Sequence, residues 1–196
     1  MTESWSDVIT QRFRESAEVL RRACEALGEP LQLAARAIVD SLRGGGTVFL
    51  FGNGGSAADA QHIAGELVGR FLRERPGVRA VALSTDTSIM TAVGNDYGFD
   101  AIFARQLDAL GRSGDVAIAL STSGNSGNIL AGLESARRLG MKTVAFTGPG
   151  GGRCAELADV LLAVPGDALP SCRVQEAHSV LYHVLCELVE RELFPQ

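Results

Sequence analysis

From Thr47 onward, short and almost wholly apolar segments alternate with longer stretches whose apolar residues recur every three or four positions. The apolar runs at 47–51, 80–83, 116–120, 143–146 and 160–164 predict strands. Helices are predicted between them over 57–72, 87–95, 101–110, 126–139 and 152–157. A long last helix is predicted over 171–193, with Val174, Ala177, Leu181, Leu185 and Leu188 along one stripe. Strands that do not alternate polar with apolar are buried on both faces, and helices between them make the sheet parallel. The expected class is α/β: a doubly wound, three-layer sandwich around a five-stranded parallel sheet.

The 45 residues before the first strand read as two helices. Ile9, Phe13, Ala17, Leu20, Cys24 and Leu27 recur at helical spacing, and Leu31, Ala34, Ala35, Ile38 and Leu42 do so after Gly28-Glu29-Pro30. Pro30 suits a first helical turn, and Gly44-Gly45-Gly46 ends the second helix. This preface is expected to cover one face of the sheet and to contribute an oligomer interface. No repeat, low-complexity segment or linker divides the chain, so 1–196 reads as a single domain: helical preface over 1–45, α/β core and last helix over 46–196.

Bulk properties narrow the function. A chain of 196 residues, 46% hydrophobic and 21% charged, has the makeup of one globular domain. Its net charge of −5 offers no basic field for nucleic acid, so an anionic ligand has to be captured by local dipoles and hydroxyls. The polar amino terminus and the lack of any apolar run near ~20 residues predict a cytoplasmic protein without a membrane segment. Cys24, Cys154, Cys172 and Cys186 are scattered, with no C-x-x-C, and read as reduced structural thiols.

Two turns fall where predicted strands end and helices begin. The first is Gly52-Asn53-Gly54-Gly55-Ser56 and the second Ser121-Thr122-Ser123-Gly124-Asn125-Ser126. Free N–H groups at a helix start, together with hydroxyls, hold a phosphate without any cation. Neither turn matches G-x-G-x-x-G or the lysine-bearing P-loop, which disfavours dinucleotides and nucleoside triphosphates. Behind the first turn, His62 and Glu66 are four residues apart on one helix face, a candidate metal or acid–base pair. Val93-Gly94-Asn95-Asp96-Tyr97-Gly98 reads either as a helix stop or as a third polar cluster. In the last helix Gln175, His178 and His183 carry polar chemistry, with His178 equally readable as a core residue. Gln175 and His183 are about 12 Å apart along the axis and offset by about 80°. Both reach one ligand only if it lies alongside the helix or if different copies of the chain contribute them.

In combination these segments resemble the sugar-isomerase (SIS) domain, and within it the phosphoheptose isomerases. The resemblance rests on 52–62, on Ala92-Val93-Gly94-Asn95-Asp96-Tyr97, Phe103-Ala104-Arg105-Gln106, Gly114-Asp115-Val116, 121–126 and Val174-Gln175-Glu176-Ala177-His178, and spans 44–193. It implies conversion of sedoheptulose 7-phosphate to D-glycero-D-manno-heptose 7-phosphate. Asn53, Gly54, Gly55, Glu66, Asn95, Asp96, Ser121, Thr122, Ser123, Ser126 and Gln175 are then substrate-binding positions. His62, Glu66, Gln175 and His183 are the positions that hold zinc in zinc-containing members, one ion per subunit. Glu66 and His183 become the base and the acid, and the assembly a homotetramer with active sites shared between subunits. Gly94 and Phe71 stand where alanine and tyrosine are more usual. Competing readings are a non-catalytic relative that binds a replication initiator, an isomerase of another phosphosugar, and a sugar-phosphate sensor. The presence of both Glu66 and His183 speaks against the first, and the lack of a basic stripe against the last.

Overall fold

The computed structural model describes residues 4–195. One parallel sheet contains β1 (Val48–Gly52), β2 (Ala80–Ala82), β3 (Val116–Ser121), β4 (Lys142–Thr147) and β5 (Val160–Ala163), in the order β2-β1-β3-β4-β5. Every residue of β1 and β3 is buried, which is why neither strand alternates in sequence. Successive side chains still point to opposite layers. Val48, Leu50, Val116, Ile118, Val144 and Phe146 face α1 (Trp5–Arg43), α2 (Gly55–Val68) and α6 (Ser171–Leu193). Phe49, Phe51, Ala117, Ala119 and Ala145 face α3 (Thr87–Tyr97), α4 (Ile102–Leu110) and α5 (Gly127–Arg138). These are the three layers expected from the pattern. Among the described residues no helix is long and apolar enough to cross a membrane.

Three expectations change. The two helices of the preface are one, because α1 runs unbroken through Pro30. Pro30 removes a single helical N–H, while Leu27, Leu31, Ala34 and Ile38 are buried in one continuous stripe across it. Packing on both sides therefore overrides the local break. Helix α2 stops at Val68, not Leu72, where the Gly69 N–H closes onto Gly65 O and the chain turns toward α6. Finally, 152–157 holds only a 3₁₀ turn, Gly152–Glu156.

The amino-terminal part of α1 stands away from the core. No described residue before Val19 is buried, and Trp5 and Phe13 are 88% and 76% exposed. Ser4 caps this end by accepting the Asp7 N–H. At the amino ends of the strands, buried Asp115 accepts the N–H groups of Thr47 and Arg112, tying β1 to the loop before β3.

Candidate active site

Strands β1 and β3 are neighbours, with Gly52 aligned to Leu120, yet the chain leaves them toward opposite edges of the sheet. Such a reversal opens a crevice at the carboxyl ends of the strands, where ligands of doubly wound sheets sit. Both anion-type turns flank it. Gly54 has φ +55°, and α2 begins directly behind it without a side-chain cap, leaving N–H groups at its start. Ser126 precedes α5 and likewise makes no capping bond, so its hydroxyl is free. The two turns are joined by a reciprocal amide pair. Asn53 Nδ2 donates to Asn128 Oδ1 and Asn128 Nδ2 to Asn53 Oδ1, each at 2.8 Å. Asn128, only 2% exposed, was no sequence candidate, since nothing distinguishes it from an ordinary residue of a first helical turn.

The second turn is braced from within and from behind. Ser121 Oγ accepts the Gly124 N–H at 3.1 Å and Ser123 Oγ the Asn125 N–H at 3.2 Å, so both hydroxyl protons remain available to a ligand. Gly124 has φ +65°, and a Cβ there would lie 2.1 Å from Gly151 O, so the position admits only glycine. Asn125 accepts the Arg153 N–H and donates to Ser123 O, clamping the turn to the loop after β4. Thr122 Oγ1 donates to Ser171 Oγ at the start of α6.

Helices α2 and α6 lie side by side and run in the same direction, which brings together residues far apart in sequence. His62 Nε2 is 3.0 Å from Glu66 Oε1, and His183 Nε2 is 3.2 Å from His62 Nε2. One ligand atom from each of the three lies within 4.8 Å of the others. A ring nitrogen presents either a proton or a lone pair, so His62 Nε2 can donate to Glu66 or accept from His183, never both. Two imidazole side chains and a carboxyl group crowded on one point match the donor set of a zinc-type cation. The His183 ring is held by Phe71 stacked on it (centroids 5.8 Å, 7° between planes) and by Tyr182 at its edge.

Gln175 sits toward the first turn. Its Nε2 donates to Asp59 Oδ2 at 3.0 Å, and a Cβ at Gly55 would come within 2.5 Å of both of its amide atoms. The single chain thus lines up Gly55, Gln175, Asp59 and the His62–Glu66–His183 cluster along paired helices, and the eight-residue separation of Gln175 from His183 needs no second copy to reach α2. Asp59, missed in the sequence, is buried, and burial pushes its carboxyl above the usual range against the pull of the Gln175 amide. Asn95 and Asp96 lie in the exposed last turn of α3, which Gly98 ends at φ +89°, and Asn95 Nδ2 donates to Asp96 Oδ1. His178 is fully buried under the second turn and donates from Nε2 to Thr147 O at 3.1 Å. Burial pulls its pKa down to about 4, which makes it a neutral core histidine.

Comparison with known proteins follows the same lines. The SIS domain model matches residues 11–148. A phosphoheptose isomerase of Aquifex aeolicus is 55% identical over 178 residues, covering 91% of this chain and 92% of its own. The solved phosphoheptose isomerase of Neisseria gonorrhoeae superposes with a TM-score of 0.89 at 42% identity, over 95% of this chain and 99% of that one. That of Francisella tularensis gives 0.92 at 38% identity, over 96% and 100%. With a crevice fit for a phosphorylated small molecule and relatives matched over nearly their whole length, the chain belongs to the phosphoheptose isomerases, enzymes of the SIS-domain family.

Proposed function

We propose that this isomerase interconverts sedoheptulose 7-phosphate and D-glycero-D-manno-heptose 7-phosphate through an enediol-type intermediate. The observation that carries the reading is the convergence of His62, Glu66 and His183 behind two anion-type turns. Aldose–ketose isomerisation needs a base at carbon, a proton donor at oxygen and a fixed phosphate. Glu66 takes the carbon-bound proton from one of the two reacting carbons and returns it to the other. His183 supplies and recovers the proton at the carbonyl oxygen. Ser121, Thr122, Ser123 and Ser126 hold the phosphate, with Asn53, Gly54, Gly55, Asn95, Asp96 and Gln175 around the sugar.

The cluster also suits Zn(2+), one per subunit, held by His62, Glu66 and His183; Gln175 of the same chain is engaged with Asp59 and would complete the set only from another copy. When bound, the ion would polarise the carbonyl and stabilise the developing oxyanion. A homotetramer with shared sites, working in the cytoplasm, completes the proposal. The test is incubation of purified protein with sedoheptulose 7-phosphate in deuterated water, followed by NMR. Aldose formation with deuterium entering at a reacting carbon is expected. Turnover of a different phosphosugar alone would assign another substrate to the same site.

A further inference from the structure

Arg75 and Glu190 lie outside the cluster and both turns, and their side chains are only 3% and 2% exposed. Arg75 Nε meets Glu190 Oε1 at 3.1 Å. A buried ion pair is weak evidence for stability, since well-packed apolar residues often do as well. The distinctive feature here is where the remaining polar atoms go. Arg75 Nη2 donates to Glu66 O at 2.6 Å, and Nη1 to Leu67 O and Gly69 O at 2.7 and 3.1 Å. These carbonyls belong to the carboxyl end of α2, where helical partners run out. The Glu190 carboxylate accepts the N–H groups of Phe71, Leu72 and Arg73 at 3.1, 2.9 and 3.0 Å.

Two consequences meet at the site. Through Arg75, the backbone of Glu66 is tied to α6 seven residues, or about two turns, beyond His183. Through Glu190, the segment after α2 is folded back so that Phe71 stacks on the His183 ring. Both groups of the proposed proton-transfer pair are therefore referred to one buried contact. Misplacement of a reacting group by about 1 Å is enough to lower a rate on the order of 100-fold.

We propose that Arg75 and Glu190 are positioning residues that set the Glu66–His183 separation and, through Phe71, the orientation of the His183 ring. The inference rests on the assignment of Glu66 and His183 as the acid–base pair. Its test uses Glu190→Gln, which keeps shape but removes the charge, and Phe71→Ala, a change at a half-buried position that remains foldable if the first variant is not. kcat and KM are measured with sedoheptulose 7-phosphate, and Co(2+) affinity by titrating metal-free protein. In both variants kcat falls by at least ~10-fold with KM within about twofold, and Co(2+) binds about 10-fold more weakly, as when outer groups orient metal ligands. Phe71→Tyr, which keeps the ring, restores both. Wild-type kcat and Co(2+) affinity in folded Glu190→Gln and Phe71→Ala proteins would overturn the proposal and leave the pair a structural role alone. If the unsubstituted protein binds Co(2+) without isomerising the heptulose phosphate, the function fails, while weaker Co(2+) binding in the variants still supports the clamp.

Discussion

The proposed chemistry asks two things of Glu66 at once, a lone pair for a carbon-bound proton and a place beside His62. Glu66→Gln keeps the shape and removes the base. The loss is expected in kcat, by at least ~100-fold, the usual contribution of general-base catalysis. Substrate affinity, held by the turns, persists, and solvent exchange at the substrate carbon disappears with turnover. Near-normal exchange in this variant would dismiss Glu66 as the base. His178 makes a different prediction, about stability. Its pKa is pulled from 6.5 to about 4 by burial. Above pH 6.5 both folded and unfolded states are neutral. As pH falls from 6.5 to 4 the unfolded chain takes up a proton that the folded chain refuses, so stability drops, by up to about 3 kcal/mol. Urea midpoints should therefore decline through this window, and less steeply in His178→Leu.

At the level of elements, the second turn works as a unit. Ser121 and Ser123 each accept a backbone N–H within it, so alanine at both positions removes ligand donors and internal bracing together. The double variant should raise KM for the phosphosugar at least ~10-fold, with kcat falling too if the anchor also aligns the reacting carbons; unchanged kinetics would remove this turn from the site. Strands and turns were legible because each has a local cause: unbroken apolar runs for β1 and β3, glycines and hydroxyls where the strands end. His62 and Glu66 were legible as a pair because helical spacing alone puts them together. What escaped depends on distant partners. Leu27 and Leu31 carry α1 across Pro30 through burial that no local rule contains. Glu190 ends α2 early by binding three N–H groups more than a hundred residues away. Asp59 and Asn128 gain their roles only from Gln175 and Asn53.

For the whole molecule, the informative feature is α1. A helix of 39 residues exceeds what its own core covers, and Trp5, Ile9 and Phe13 fall at four-residue spacing on one exposed face. Exposed apolar stripes of this kind mark surfaces that meet another surface, as the proposed tetramer would supply. Sedimentation of the full chain should give the tetramer mass, and removal of residues 4–17 should yield smaller species with lower activity. An equally active, smaller species would separate catalysis from assembly.

The amide pair between Asn53 and Asn128 gives the two halves of the crevice a shared fate. Alanine at Asn53 strands the buried Asn128 amide, and alanine at Asn128 strands the half-buried Asn53 amide. The thermodynamic cycle built from the two single variants and the double should therefore be strongly non-additive, with the double no weaker in substrate binding than the worse single. These two asparagines can therefore be exchanged only as a couple, while either one changed alone carries the full cost of its orphaned partner.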